Sequence, residues 1–175
     1  MVDMGSGNGY WTYMLRQLPP LSGGKKGKTL EVVSVDSGIS EWRTIWVEGT
    51  IQADGEDWLK RNDGAREDVL LLVYPSVGND FTSKMIKAYS KFYRVALDST
   101  AWLTIVGVDG TTIISAGSQN ASGFTAFAKE TIADWMAREL PEWERVLQIP
   151  LPSFAGKDEA LFVFEKGGDS GKAAV

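Results

Sequence analysis

The chain has 175 residues, 43% of them hydrophobic, which is enough for one domain with a sizeable core. It contains neither cysteine nor histidine, so disulfides, thiolate nucleophiles, zinc-thiolate centres and every catalytic triad that depends on His or Cys are excluded. A net charge of −5 and a pI near 4.8 give no footprint for nonspecific nucleic-acid or acidic-membrane binding and favour a small or neutral partner. No N-terminal stretch has the order of a signal peptide and no apolar run reaches membrane-spanning length, so the expectation is a soluble cytoplasmic protein.

In chain order, Met1 to Met4 reads as the end of a strand and Tyr10 to Leu18 as a short helix, stopped by Pro19 and Pro20. The glycine turn Gly5-Ser6-Gly7-Asn8-Gly9 is the corner between them. After a Gly, Ser and Lys-rich loop, "LEVVSVD" (Leu30 to Asp36) predicts a buried parallel strand with a carboxylate at its C-terminal end, where such sheets bind ligands. "GTIQADGEDWLKRN" predicts a short strand ending near Asp54, then a helix with Glu56 and Asp57 at the positive end of its dipole. "EDVLLLVYPS", the most continuous apolar run, predicts the central strand, opened by Asp68 and closed by Tyr74 and Pro75.

"NDFTSKMIKAYSKF" and "GFTAFAKETIADWMAREL" predict helices that cover the sheet. The second places Phe124, Phe127, Ala128, Ile132, Trp135 and Met136 on one face before Pro141 ends it. "WERVLQIPLP" and "EALFVFEKG" predict two strands joined by a loop containing Pro152 and Gly156. The alternation predicts an α/β, Rossmann-like fold: a mostly parallel sheet, helices on both faces and an antiparallel C-terminal strand pair. It forms a single domain over residues 1–166, with a disordered tail at 167–175. Two strand candidates, "WLTIVGVDG" and "TTIISAGSQ", stand where a compact unit needs one. The expectation is an insertion near residues 90–108, of the kind a translated intron would leave, because removing it joins "MIKAY" to "GTTIISAG" as helix, loop and strand.

Glycine permits positive φ and lets a ligand approach the backbone closely. The helix that follows the turn directs its unpaired N–H groups the same way. Here the turn follows a strand, opens a helix, has Asp3 just upstream and is followed by a second strand ending in Asp36. On these residues the chain resembles the class I S-adenosylmethionine-dependent methyltransferases. The stretch V-D-M-G-S-G-N-G is similar to their acidic-x-G-x-G-x-G first motif, and the later elements follow a similar order.

The resemblance implies S-adenosylmethionine as cofactor, with Gly5, Ser6, Gly7, Asn8 and Gly9 lining its methionine and ribose parts, and Asp3 orienting the turn or contacting the methionine end. It implies Asp36 on the ribose hydroxyls, Asp54 at the adenine, and Val73, Tyr74 and Pro75 where the substrate meets the methyl group. On residue type alone, Asp36 and Asp54 also suit helix caps or loops, and Tyr74 suits packing or the cofactor edge. Tyr10 and Trp11 suit the methionine end or the core, and Trp42, Trp46 and Trp58 suit contact with adenine or substrate, or packing.

The spacing excludes two rivals. A dinucleotide fingerprint needs a third glycine where Tyr10 stands. "SGGKKGKT" has Ser22 where a P-loop needs its first glycine, and it runs from helix to strand. It reads as a basic surface loop, with Lys25, Lys26 and Lys28 available to steer an anionic substrate. Asn120-Ala121-Ser122 is a glycosylation sequon by letter only. Methyl transfer needs no histidine, and an acceptor requiring deprotonation would use Asp, Glu, Lys or Tyr. "VYPS" lacks the Asn-Pro-Pro-Tyr type of motif, which argues against amino-group methylation of DNA bases or glutamine. The expected acceptor is a small molecule, RNA or protein, and no catalytic residue is assigned. The alternative is a non-catalytic methyltransferase-like subunit that binds a protein partner, or an inactive fragment. Only Met1 and Val2 precede Asp3, whereas the resembling family has several strand residues and usually a helix there, so an N-terminally shortened chain is expected.

Overall fold

A computed structural model of the chain describes residues 1–19, 29–39, 46–77, 79–90, 110–120, 125–153, 155 and 157–167. The elements run β1 (Val2–Met4), α1 (Tyr10–Arg16), β2 (Val33–Asp36), β3 (Ile51–Gln52), α2 (Gly55–Arg61), a 3-10 turn (Asp63–Ala65), β4 (Leu70–Val73), α3 (Phe81–Ser90), β5 (Thr112–Ser118), α4 (Ile132–Glu139), β6 (Trp143–Leu151) and β7 (Glu159–Lys166). The strands form one seven-stranded sheet in the order β3-β2-β1-β4-β5-β7-β6.

The sheet is α/β and mostly parallel. β1 pairs in parallel with β2 on one side and β4 on the other, β2 with β3, and β4 with β5. β7 runs antiparallel to both β5 and β6 and forms the C-terminal antiparallel pair with β6. From β1 the chain steps outward to β2 and β3, then crosses back to β4 and steps outward again to β5. With right-handed crossovers, the two winding directions place α1 on one face and α2, α3 and α4 on the other. The shared face is visible in the packing: a Cβ on Gly55 of α2 would meet Met85 Sδ of α3, and Lys87 of α3 lies over the Trp135 ring of α4.

The apolar run at residues 69 to 73 behaves as its composition requires. Leu70, Leu71 and Leu72 are buried in β4, the middle strand of the seven. Around them, Val2, Met4, Val35, Leu59, Met85, Ile86, Tyr89, Ile113, Ile132, Met136, Phe162 and Phe164 make the core. β7 alternates, burying Ala160, Phe162 and Phe164 on one face, whereas edge strand β6 buries only Trp143.

Boundaries differ from expectation most at the starts of β2 and α4, and α1 ends at Arg16 rather than at the expected Leu18. The strand expected from Leu30 begins at Val33. The helix expected from Gly123 begins at Ile132, because Ala126 takes φ 70 and Thr131 caps the helix, its Oγ1 accepting from Asp134 N at 3.1 Å. Part of the expected apolar face forms: Ile132, Trp135 and Met136 are buried and Phe127, ahead of the helix, stacks on Trp135 with centroids 4.9 Å apart, whereas Ala128 is exposed. Residues 91–109, which hold nearly all of the expected insertion, lie outside the described residues, as do 168–175, Phe124, Gly156, Trp42, Lys25, Lys26 and Lys28, and Ala121 and Ser122 of the sequon. Among the described residues no helix is long and apolar enough to cross a membrane.

Candidate functional site

The C-terminal ends of β1, β2, β3 and β4 share one edge of the sheet, and its topological switch point lies between β1 and β4. A cleft of about 410 Å³ opens there, within the size range of small-molecule and cofactor sites. β1 contributes Met4 and the turn after it Gly5, and β2 with its following loop contributes Asp36, Ser37 and Ile39. Asp54 and Gly55 come from the start of α2, Tyr74, Pro75 and Ser76 from the end of β4, and Asn79 and Phe81 from the start of α3.

The glycine turn is built by backbone bonds. Gly5 N–H and Ser6 N–H both donate to Val35 O, at 2.8 and 3.2 Å, and Gly9 N–H donates to Ser6 O at 2.9 Å. Gly5 has φ 74, which favours glycine, and a Cβ there would lie 2.9 Å from Phe81 Cζ, so a larger residue would also have to displace that ring. Gly9 has φ 78 and caps α1. Asn8 enters through its backbone, its carbonyl accepting from Val47 N at 3.1 Å. The Ser6 hydroxyl accepts from Ser34 Oγ at 2.7 Å, a tie to β2.

Asp36 clamps this turn. One carboxylate oxygen accepts from Gly7 N at 2.8 Å and the other from Gly38 N at 2.8 Å. The side chain is nearly buried at 8% exposure, yet it lines the cleft. Asp3, one strand inward, is 2% exposed and accepts from Thr12 Oγ1 at 2.6 Å, tying β1 to the otherwise exposed helix α1. Burial raises its carboxyl above the usual range, the Thr12 hydrogen bonds pull the other way, and the nearby Asp36 charge adds to the rise. Asp54 is the N-cap of α2, with Oδ1 accepting from Asp57 N at 3.1 Å, and it also lines the cleft.

Tyr74 sits at the end of β4 with φ 46, a left-handed conformation that is unfavourable for a bulky residue. Its N–H donates to Ala116 O at 2.9 Å, and its hydroxyl donates to Glu159 Oε2 at 2.9 Å. Burial first, and Glu159 second, raise the phenol above its ordinary value.

Of the residues read from the sequence, the cleft gathers Gly5, Asp36, Asp54, Tyr74 and Pro75, and Val73 is not among its lining. Asp3, Ser6, Gly7, Asn8 and Gly9 are not among the residues lining it; they shape and anchor the turn. Tyr10 and Trp11 join neither core nor cleft, being 61% and 42% exposed, and Trp58 packs against the core. Sequence reading missed Ser37, Ile39, Asn79, Phe81 and Glu159. Asn79 carried a usable signal: it stands two residues ahead of α3, its Oδ1 accepts from Phe81 N at 3.1 Å, and a helix entered directly from β4 must begin at the ligand edge. The chain matches no family model, no curated protein and no solved structure.

Proposed function

We propose that the chain is an S-adenosylmethionine-dependent methyltransferase whose acceptor enters at the β4 side of the cleft. One observation carries the reading: a turn of alternating glycines, clamped through Gly7 N–H to the strand-end carboxylate Asp36, beside a cleft at the switch point of a parallel sheet. The all-parallel dinucleotide order gives no reason for an antiparallel β7 between β5 and β6.

The residues fit the cofactor. Asp36, held on both oxygens by backbone N–H groups, presents a fixed carboxylate suited to vicinal ribose hydroxyls. Asp54 uses Oδ1 for its cap, while Oδ2 makes no hydrogen bond among the described residues and suits an exocyclic amine. Gly5 lines the cleft just after β1, with the Phe81 ring packed beside it. When bound, the cofactor supplies a methyl group on a sulfonium. The protein's work is to bind it, align the acceptor and exclude water.

A second reading, a methyltransferase-like subunit that binds a protein partner without catalysis, is favoured by α1. That helix buries only Thr12 and exposes Tyr10, Trp11, Tyr13 and Met14. Thermal unfolding with and without ligand tests the cofactor reading. S-adenosylmethionine at a hundred times its dissociation constant should stabilise the fold by about 2.7 kcal/mol, and NAD should leave it unchanged. Stabilisation by NAD, or none by S-adenosylmethionine, would remove the methyltransferase reading and leave partner binding.

A further inference from the structure

We propose that Tyr74 and Glu159 form a proton-accepting pair that selects a hydroxyl group as the methyl acceptor. The inference rests on the methyl-transfer reading and adds to it the acceptor class and the base.

Topology brings the two residues together. Tyr74 directly follows the parallel strand β4 and lines the cleft. β7 is antiparallel, so its first residue, Glu159, lies at the edge where β4 and β5 end, paired with Ser118 of β5 and Leu151 of β6. Ser153 Oγ accepts from Glu159 N at 2.9 Å and fixes that end of the strand. The phenol reaches across β5 to donate to Glu159 Oε2 at 2.9 Å. Its backbone is held left-handed at φ 46 while it does so, a conformation kept by the Ala116 hydrogen bond.

Neighbouring polar groups behave differently. Asp158 is occupied by the side-chain amides of Gln119 and Asn120, whereas among the described residues no lysine or arginine pairs with Glu159. Glu159 is therefore a carboxylate whose polar side-chain partner is the Tyr74 hydroxyl.

A phenol that donates to a carboxylate keeps its oxygen lone pairs for a hydrogen bond from the cleft side, and the carboxylate makes that oxygen more basic. An amine can arrive neutral with its lone pair ready, and a thiol ionises near pH 8.5 unaided; a hydroxyl must lose its proton as it attacks. As the hydroxyl oxygen bonds to the methyl carbon, the carbon–sulfur bond breaks and its electron pair stays on the neutral thioether. The hydroxyl proton passes to Tyr74 Oη, and Tyr74's own proton passes to Glu159 Oε2, which ends as the neutral acid. Charge and protons balance without metal or oxidant.

The test uses phenol as the hydroxyl probe and anisole, its O-methyl ether, as the control that keeps the oxygen and lacks the proton. Binding is read by ligand-observed NMR on protein saturated with S-adenosylhomocysteine. Phenol should bind, anisole at least tenfold more weakly, and the preference should vanish in Tyr74→Phe and shrink in Glu159→Gln, each variant read at its own saturation with S-adenosylhomocysteine. A tyrosine absorbance titration supplies a signature that packing alone would not give: besides buried Tyr89, pushed up to about 12, the raised titration that disappears in Tyr74→Phe should move down in Glu159→Gln. Equal binding of phenol and anisole, no phenol binding, or a preference that survives Tyr74→Phe overturns the pair while the cofactor reading stands. Failure of the wild-type chain to bind S-adenosylhomocysteine overturns both.

Discussion

Gly9→Ala should destabilise the fold far more than Gly7→Ala, although both glycines have positive φ in the same turn. At Gly9 two effects add. The backbone sits at φ +78, where an alanine costs about 1–2 kcal/mol. A Cβ there would also lie 2.2 Å from Val47 Cγ1 and 2.6 Å from Val47 Cβ. Val47 cannot easily withdraw, because its N–H donates to Asn8 O at 3.1 Å and its carbonyl accepts from the Thr50 hydroxyl at 2.8 Å. Overpacking against a held side chain adds about 1–3 kcal/mol, for a total of about 2–5 kcal/mol. At Gly7, φ is +59 but a Cβ meets nothing within 4 Å, so only the conformational term of about 1–2 kcal/mol applies. The difference of about 1–3 kcal/mol corresponds to about 2–12 °C in Tm for a chain of this size. Urea denaturation of the two variants measures it, provided the slope with denaturant is unchanged. Equal midpoints would refute the packing of the turn against Val47.

Asp3→Asn should stabilise the protein most near neutral pH. Burial raises the Asp3 carboxyl in the folded state, so the folded chain binds its proton more tightly than the unfolded chain. Wild-type stability is therefore penalised above the folded pKa and recovers as the pH falls through it toward 3.8. The advantage of the variant should shrink as the pH falls through the raised folded-state pKa toward 3.8; an advantage independent of pH in denaturation curves would contradict the buried Asp3 carboxylate. Asp54→Ala should cost about 1 kcal/mol as a lost helix cap and Asp54→Asn only a few tenths. Adenine recognition adds that both weaken S-adenosylmethionine binding in calorimetry; unchanged affinity would reduce Asp54 to its cap.

What the sequence disclosed depended on how local each signal was. The run Leu70 to Val73 announced the central strand because it is buried on both faces, and the turn from Gly5 to Gly9 announced a left-handed corner because glycine adopts positive φ without the steric cost other residues meet. Asp54 as a cap was legible from Asp57 three residues on. Less could be read where partners are distant in sequence. Asp3 reads equally as orienting the turn or as contacting a ligand until Thr12 is seen to take it inward. Glu159 reads as the first polar residue of an edge-side strand until antiparallel pairing delivers it to Tyr74, 85 residues earlier. The helix expected from Gly123 failed at its start because apolar periodicity there was matched by packing of Phe127 on Trp135 without helical backbone.

The central claim is that Asp36 and the glycine turn hold S-adenosylmethionine, and calorimetric titration with S-adenosylhomocysteine tests it most directly. The wild-type chain should bind one equivalent. Asp36→Ala releases the Gly7 and Gly38 N–H groups together and should bind at least tenfold more weakly, a loss of about 1.4 kcal/mol or more, while still unfolding cooperatively. Absence of binding by the wild-type chain, or equal affinity in a folded Asp36→Ala variant, would contradict the account.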